Sequence, residues 1–180
     1  MASIRNYIQE QEADKRAVII VQVDYELDSN LNGLIANQIM PEYQKPTLIL
    51  TKREKTDEET GEIITTWEGS ARGYAIDDIT DWRKFILQSG WCEYAEGHPM
   101  AFGVGFTPEK LEGFKEFIDY EFGSCKMEVT YPVDFIWRHT DDIDNNILEL
   151  ANYRHIWGQG VKEPYVVLQD IPITKEKFLL

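Results

Sequence analysis

Two short segments hold the residue types that could do chemistry. In Gly69-Ser70-Ala71-Arg72-Gly73, small residues let backbone N–H groups approach an oxyanion while the Ser70 hydroxyl donates and the Arg72 fork grips two oxygens. Phosphate or carboxylate suits that combination. Gly-Ser pairs also punctuate turns, and a turn after the preceding strand is the plainer reading. No Gly-Lys-Ser/Thr follows, so the segment is not a Walker loop. The second segment, Glu96-Gly97-His98-Pro99-Met100-Ala101-Phe102-Gly103, sets an imidazole between a flexible residue and a rigid one, ahead of an apolar stretch. His98 could donate to a phosphate oxygen or take part in acid–base work, and a lone structural histidine is the plainer reading. Gly103-Val104-Gly105 lacks the third glycine of a dinucleotide fingerprint.

Other candidates have simpler explanations. Asp77, Asp78 and Asp81, like Asp141, Asp142 and Asp144, fall at expected helix starts, where carboxylates cap free N–H groups and favour the macrodipole. Cys92 and Cys125 form no Cys-x-x-Cys pair and read as reduced thiols, and His98, His139 and His155 belong to no zinc-type array.

The elements that must position these segments follow from patterning. Residues 4–11 read as a short polar helix or tail. Ala17-Val18-Ile19-Ile20-Val21-Gln22-Val23 is a β-branched run suited to a strand covered on both faces. Leu31, Leu34, Ile35, Ile39 and Met40 recur at helical spacing up to the Lys45-Pro46 stop, predicting a helix lying on the sheet with those residues inward. Strands are predicted over 47–51 and 63–67, joined through a charged stretch and Gly61. A helix capped by Asp77 or Asp78, with apolar positions Ile79, Trp82, Phe85 and Ile86, is stopped by Gly90. Thr107 as N-cap, Pro108 at the first helical position, Leu111, Phe114, Phe117 and Ile118 inward, and Gly123 as stop define another. Beyond it, extended segments at 127–130, 133–137 and 165–171 flank a helix near 141–153 and a loop at 157–160.

Charge and size bound the function. With 18 Lys and Arg against 32 Asp and Glu, the 180-residue chain has a net charge of −14. That excludes binding a polyanion by surface-wide phosphate neutralisation, so any such ligand is held locally. Hydrophobic residues at 43% and aromatics at 12% exclude a disordered chain. No run approaches the roughly 20 apolar residues of a membrane span. Residues 1–5 show no signal-peptide pattern, so the expected compartment is the cytoplasm.

Taken together, the segments resemble the region C-terminal to the catalytic core in RecJ-type, single-strand-specific exonucleases of the DHH phosphoesterase superfamily. Leu31-Asn32-Gly33-Leu34-Ile35-Ala36-Asn37, followed by Tyr43-Gln44-Lys45-Pro46-Thr47-Leu48-Ile49-Leu50, is similar to the family's Gly-Ile-Val-Ala helix and its Tyr-x-x-Pro lead into a strand. Gly69-Ser70-Ala71-Arg72, then Gly97-His98-Pro99-Met100-Ala101 with Gly103, resemble the Gly-Ser-x-Arg and Gly-Gly-His-x-Met-Ala-x-Gly motifs of the DHH-associated domain. Trp157-Gly158-Gln159-Gly160 before Glu163-Pro164 looks like the Phe-Gly-x-Gly segment that leads into an OB-type β domain.

The resemblance implies an α/β fold with a mixed central sheet flanked by helices over residues 1–124, and a connecting helix with the first strands of an OB-like region over 125–180. It implies that Ser70, Arg72, Gly97 and His98 contact phosphates of single-stranded DNA for 5′ to 3′ exonucleolytic hydrolysis. It places the chemistry, and two manganese or magnesium ions, on a separate DHH domain acting in cis or in trans. No cofactor is expected on this chain, and no Asp-His-His triplet occurs in its 180 residues, so activity in isolation is not expected. The chain departs from the family pattern at Glu96, which replaces the first glycine of Gly-Gly-His, and at Val161, which replaces an asparagine. Two other readings fit parts of the pattern: a phosphoesterase module for short oligonucleotides or cyclic dinucleotides, and an acidic module docking on a replication or repair partner.

Overall fold

A computed structural model of the protein describes residues 1–25, 29–58, 60–76, 79–123, 130–139, 141–157 and 161–172. The chain divides into two units, Met1–Val129 and Thr130–Leu180. The first contains α1 (Ala2–Glu10), a 3-10 turn (Ala13–Lys15), β1 (Ile19–Val23), α2 (Ser29–Tyr43), β2 (Thr47–Thr56), β3 (Ile63–Arg72), α3 (Trp82–Ser89), β4 (Tyr94–His98), β5 (Ala101–Phe106) and α4 (Pro108–Phe122). The strands form one sheet in the order β1-β2-β3-β5-β4. β1 pairs parallel with β2 and the remaining neighbours are antiparallel, so the fold is the mixed α/β class expected.

Alternation along the strands sorts their side chains between two cores. Val18, Ile20, Leu48, Leu50, Ala71, Phe102, Val104 and Phe106 pack on one face against Trp82 and Ile86 of α3 and Leu111, Phe114 and Ile118 of α4. Ile19, Val21, Val23 and Ile49 point to the other face, against Ile4 and Ile8 of α1 and Ala36 and Ile39 of α2. The β-branched run in β1 is thus covered on both sides, and the N-terminal segment is a packed helix. The Thr107 cap and the Gly90 stop follow the sequence. By contrast, α3 begins at Trp82, so Ile79 precedes the helix in a bridge to Ile76, and the cap is Asp81, not Asp77 or Asp78. Thr107 Oγ1 accepts from Lys110 N ahead of Pro108, Asp81 accepts from Lys84 N to open α3, and Gly90 closes α3 with a left-handed φ of 77°. Asp81 does the capping, and Asp77 and Asp78 lie outside the described residues.

Two expectations are corrected. Leu31 and Leu34 do not face the sheet but are exposed, and the inward stripe of α2 is Asn32, Ala36 and Ile39. Asn32 can be buried because its amide Nδ2 donates to Thr51 Oγ1 at 3.1 Å, which satisfies a polar group in the core. The segment 69–72 is not a turn after a strand ending at Trp67, because it forms the last four residues of β3 and pairs residue by residue with 47–50 of β2.

Lys45, only 7% exposed, ties the entry of β2 to the chain before β1: its Nζ donates to the carbonyls of Asp14 and, at 2.9 Å, Arg16. Burial lowers its pKa from the ordinary lysine value. Lys45→Ala would leave two carbonyls without that donor, and a loss of about 2–3 kcal/mol is expected, read as a lower urea midpoint at unchanged m-value.

The second unit contains β6 (Phe135–Arg138), α5 (Ile143–Asn152) and β7 (Val166–Gln169), with β6 and β7 paired in parallel. Asp142 caps α5 by accepting from Asn145 N. Residues 124–129 and 158–160, which include most of the 127–130 segment and the Gly-Gln-Gly of the 157–160 loop, lie outside the described residues. Among the described residues no helix is long and apolar enough to cross a membrane.

Candidate nucleic-acid interface

The pairing of β3, β5 and β4 sets the candidate side chains in rows. Arg72 lies opposite Ala101, which lies opposite His98; Ser70 lies opposite Gly103, which lies opposite Glu96; Glu68 lies opposite Gly105, which lies opposite Tyr94. Residues paired across antiparallel strands point to the same face, so all three rows project from the face that bears α2. The middle strand contributes only Ala101, Gly103 and Gly105 there. The result is a trough with a floor of small residues, Ser70 and Arg72 along one bank and Glu96 and His98 along the other. Two strand spacings of roughly 4.8 Å put the banks about 10 Å apart.

On the Ser70 side, α2 forms the wall. A Cβ on Gly33 would lie 2.9 Å from Arg72 Nη2 and 3.6 Å from Ser70 Oγ, so glycine lets the helix backbone close over both. Asn37, one turn further, accepts from Arg72 Nε at 2.6 Å, and Arg72 Nη1 donates to the carbonyl of Ala71 at 2.8 Å. Two donors thus hold the guanidinium in one orientation. Burial lowers its pKa, but a guanidinium does not lose its proton in a protein.

On the other bank Gly97 takes φ of 130°, a conformation that side chains disfavour, just before the turn that joins β4 to β5. A Cβ there would also sit 3.1 Å from Ala101 O and from Phe102 Cα. His98 is exposed, and its Nδ1 accepts from Met100 N at 3.3 Å. In the neutral ring the proton therefore sits on Nε2, the nitrogen left to donate outward. Arg83 of α3 braces the turn: its Nη1 donates to Gly97 O at 3.0 Å and its backbone N–H to Pro99 O at 3.1 Å.

Ser70, Arg72, Gly97 and His98 therefore come together around one trough, with Glu96 in the middle of the far bank. Asn37, Gly33 and Arg83 escaped the sequence reading as site residues. The signal for the first two was a glycine and an amide four apart on one helix edge; Arg83 left none. The trough can take an extended anion: a fixed guanidinium, a hydroxyl and an imidazole N–H face a narrow floor. Among the described residues no three His, Cys, Asp or Glu side chains are grouped so as to hold a metal ion.

No family model matches the chain. Over 175 residues, 97% of its length, it is 33% identical to the "Putative SPbeta prophage-derived single-strand DNA-specific exonuclease YorK" of Bacillus subtilis strain 168. The same identity holds for the "Putative single-strand DNA-specific exonuclease yorK" of Bacillus phage SPbeta. The chain spans 29% of the length of each of these curated relatives. Its fold matches part of the crystal structure of Thermus thermophilus RecJ in complex with Mn2+, with a TM-score of 0.60 at 16% identity over 93% of this chain and 23% of that one. Over nearly its whole length, then, the chain is similar in sequence to a segment of two curated proteins named as single-strand DNA-specific exonucleases, and similar in fold to part of RecJ.

Proposed function

We propose that this chain is the nucleic-acid-binding portion of a single-strand-specific 5′ to 3′ exonuclease. In this reading residues 1–124 are a DHH-associated domain that holds the strand, and residues 125–180 are the connecting stretch toward an OB-like region. Ser70 and Arg72 grip one phosphate, while the backbone at Gly97 and the Nε2–H of His98 hold the strand on the opposite bank. Metal-dependent hydrolysis falls to a separate DHH domain in cis or in trans.

The observation that carries the proposal is the row geometry, which sets Arg72 and His98 opposite the same small residue, Ala101, on one sheet face. A phosphate spans the Ser70–Arg72 bank, and the floor of Ala101 and Gly103 lets the backbone of a strand run between the banks. Glu96 faces that path and sets a limit: a strand must pass on the Arg72 side of it, where the guanidinium offsets the carboxylate.

The test is the affinity of the 180-residue chain for a 5′-phosphorylated, fluorescein-labelled single strand, measured by anisotropy across salt concentrations. With Arg72 as the cationic side chain on the strand's phosphates, log K is expected to fall with log salt at a slope of about −0.7. No binding at low salt, or binding indifferent to salt, would overturn the proposal. Because the net charge is −14, any slope of that sign must come from a local grip and not from the surface as a whole.

A further inference from the structure

Beside Ser70 the trough opens into a feature that phosphate binding does not use. A cavity of about 230 Å³ is lined by Asn32, Arg53, Glu68, Gly69, Ser70 and Tyr94. Its walls come from four elements: α2 supplies Asn32, β2 Arg53, β3 Glu68 with Ser70, and β4 Tyr94. The Tyr94 ring reaches across β5. Its Cε1 would lie 2.3 Å from a Cβ on Gly105, with Cδ1 and Cζ at 2.9 Å, so the ring rests over that glycine. Burial first, then the carboxylates of Glu68 and Glu96, raises the Tyr94 pKa and keeps the phenol neutral.

The groups around this cavity differ from those on the Arg72 bank. Glu68 Oε1 accepts from Thr66 Oγ1 at 3.0 Å, and among the described residues its other oxygen has no partner. Asn32 is already engaged with Thr51 through both ends of its amide, so it walls the cavity without reading a ligand. A second phosphate here would meet the charge of Glu68. A neutral, flat group with N–H donors on its edge would meet an aromatic ring, an acceptor carboxylate and a donor guanidinium. Those are the properties of a nucleobase: it stacks on aromatic rings whatever its identity, and an amino-bearing edge donates to a carboxylate.

We propose that this cavity holds the base of a nucleotide whose phosphate lies at Ser70 and Arg72, with the ring of Tyr94 against the base and Glu68 accepting from an exocyclic amino group. The inference rests on the phosphate-grip reading above, and Ser70, which belongs to both sites, is the link between them.

The experiment uses the 180-residue chain and 5′-phosphorylated oligo-dC in which a single abasic residue is moved stepwise along the strand. In the wild type, one position is expected to cost about tenfold in affinity, the scale of one base stacked on an aromatic side chain. Tyr94→Leu keeps an apolar side chain over Gly105, and in this variant the penalty at that position should vanish. Glu68→Gln should remove the preference for dC over dT at the same position. An equal abasic penalty in wild type and Tyr94→Leu at every position overturns the base pocket; if Arg72→Ala still weakens all strands, the phosphate grip survives that result. Failure of the wild type to bind any strand overturns both.

Discussion

Arg72→Ala is expected to weaken single-strand binding by about ten- to a hundredfold, the loss that goes with removing hydrogen bonds to a charged partner. The salt slope should shrink by about 0.7, one phosphate's share for a single strand. The size of the effect comes from preorganisation. Nε is held by Asn37 Oδ1 and Nη1 by the carbonyl of Ala71, so the fork is oriented before a ligand arrives and little rotamer freedom remains to be lost. Arg72→Lys separates the contributions: the charge, and with it the salt slope, should be retained, while the affinity should recover only in part, because an ammonium cannot bond Asn37 and fork two phosphate oxygens together. Anisotropy titrations of the three proteins decide it. An Arg72→Ala chain that binds as tightly as the wild type, with the same slope, would remove Arg72 from the interface.

For stability, the largest effect is expected at Gly69. A Cβ there would lie 1.9 Å from Ile49 O, 2.9 Å from Ile49 C and 3.0 Å from Leu50 Cα, all main-chain atoms of the neighbouring strand. No side chain can swing aside to relieve that overlap, so Gly69→Ala must push β3 off β2 in the middle of the sheet. A loss of about 4 kcal/mol or more, or failure to fold, is expected from chemical denaturation followed by near-ultraviolet circular dichroism. A loss below about 1 kcal/mol would show that the strands part more readily than their packing implies. Gly103→Ala is the contrast. Its nearest neighbours would be at 3.8 and 3.9 Å, ordinary contact distance, so stability should stay within about 0.5 kcal/mol of the wild type. The added methyl group raises the floor of the trough between Ser70 and Glu96, so binding should weaken even though the fold holds.

Much of the framework was legible because it is local. The β-branched run of β1, the Thr107–Pro108 start of α4, the Gly90 stop of α3 and the Gly-His pair before β5 are statements about a few consecutive residues, and backbone sterics and capping act at that range. The errors arose where a distant partner decided. Leu31 and Leu34 had the right spacing for an inward face. Yet α2 turns Asn32 inward because Thr51 on β2 satisfies its amide, and brings Gly33 over Arg72 because glycine permits that approach. Gly69-Ser70-Ala71-Arg72 looked like a turn, since nothing within the segment shows that β2 extends far enough to pair with it.

By itself the amino-acid sequence determined the class of fold, the acidic balance of the chain and which residues are candidates to grip a phosphate. Tertiary structure alone decided that Ser70 and Arg72 face His98 across a floor of Ala101 and Gly103, that Asn37 orients the guanidinium, and that Tyr94, Glu68 and Arg53 enclose a cavity beside it. The physical reason lies in the range of the forces recorded in each. Propensity and periodicity describe what a side chain does relative to its own helix or strand. Which side chains meet depends on strand order and pairing register, and those are set by the burial of residues far away in the chain.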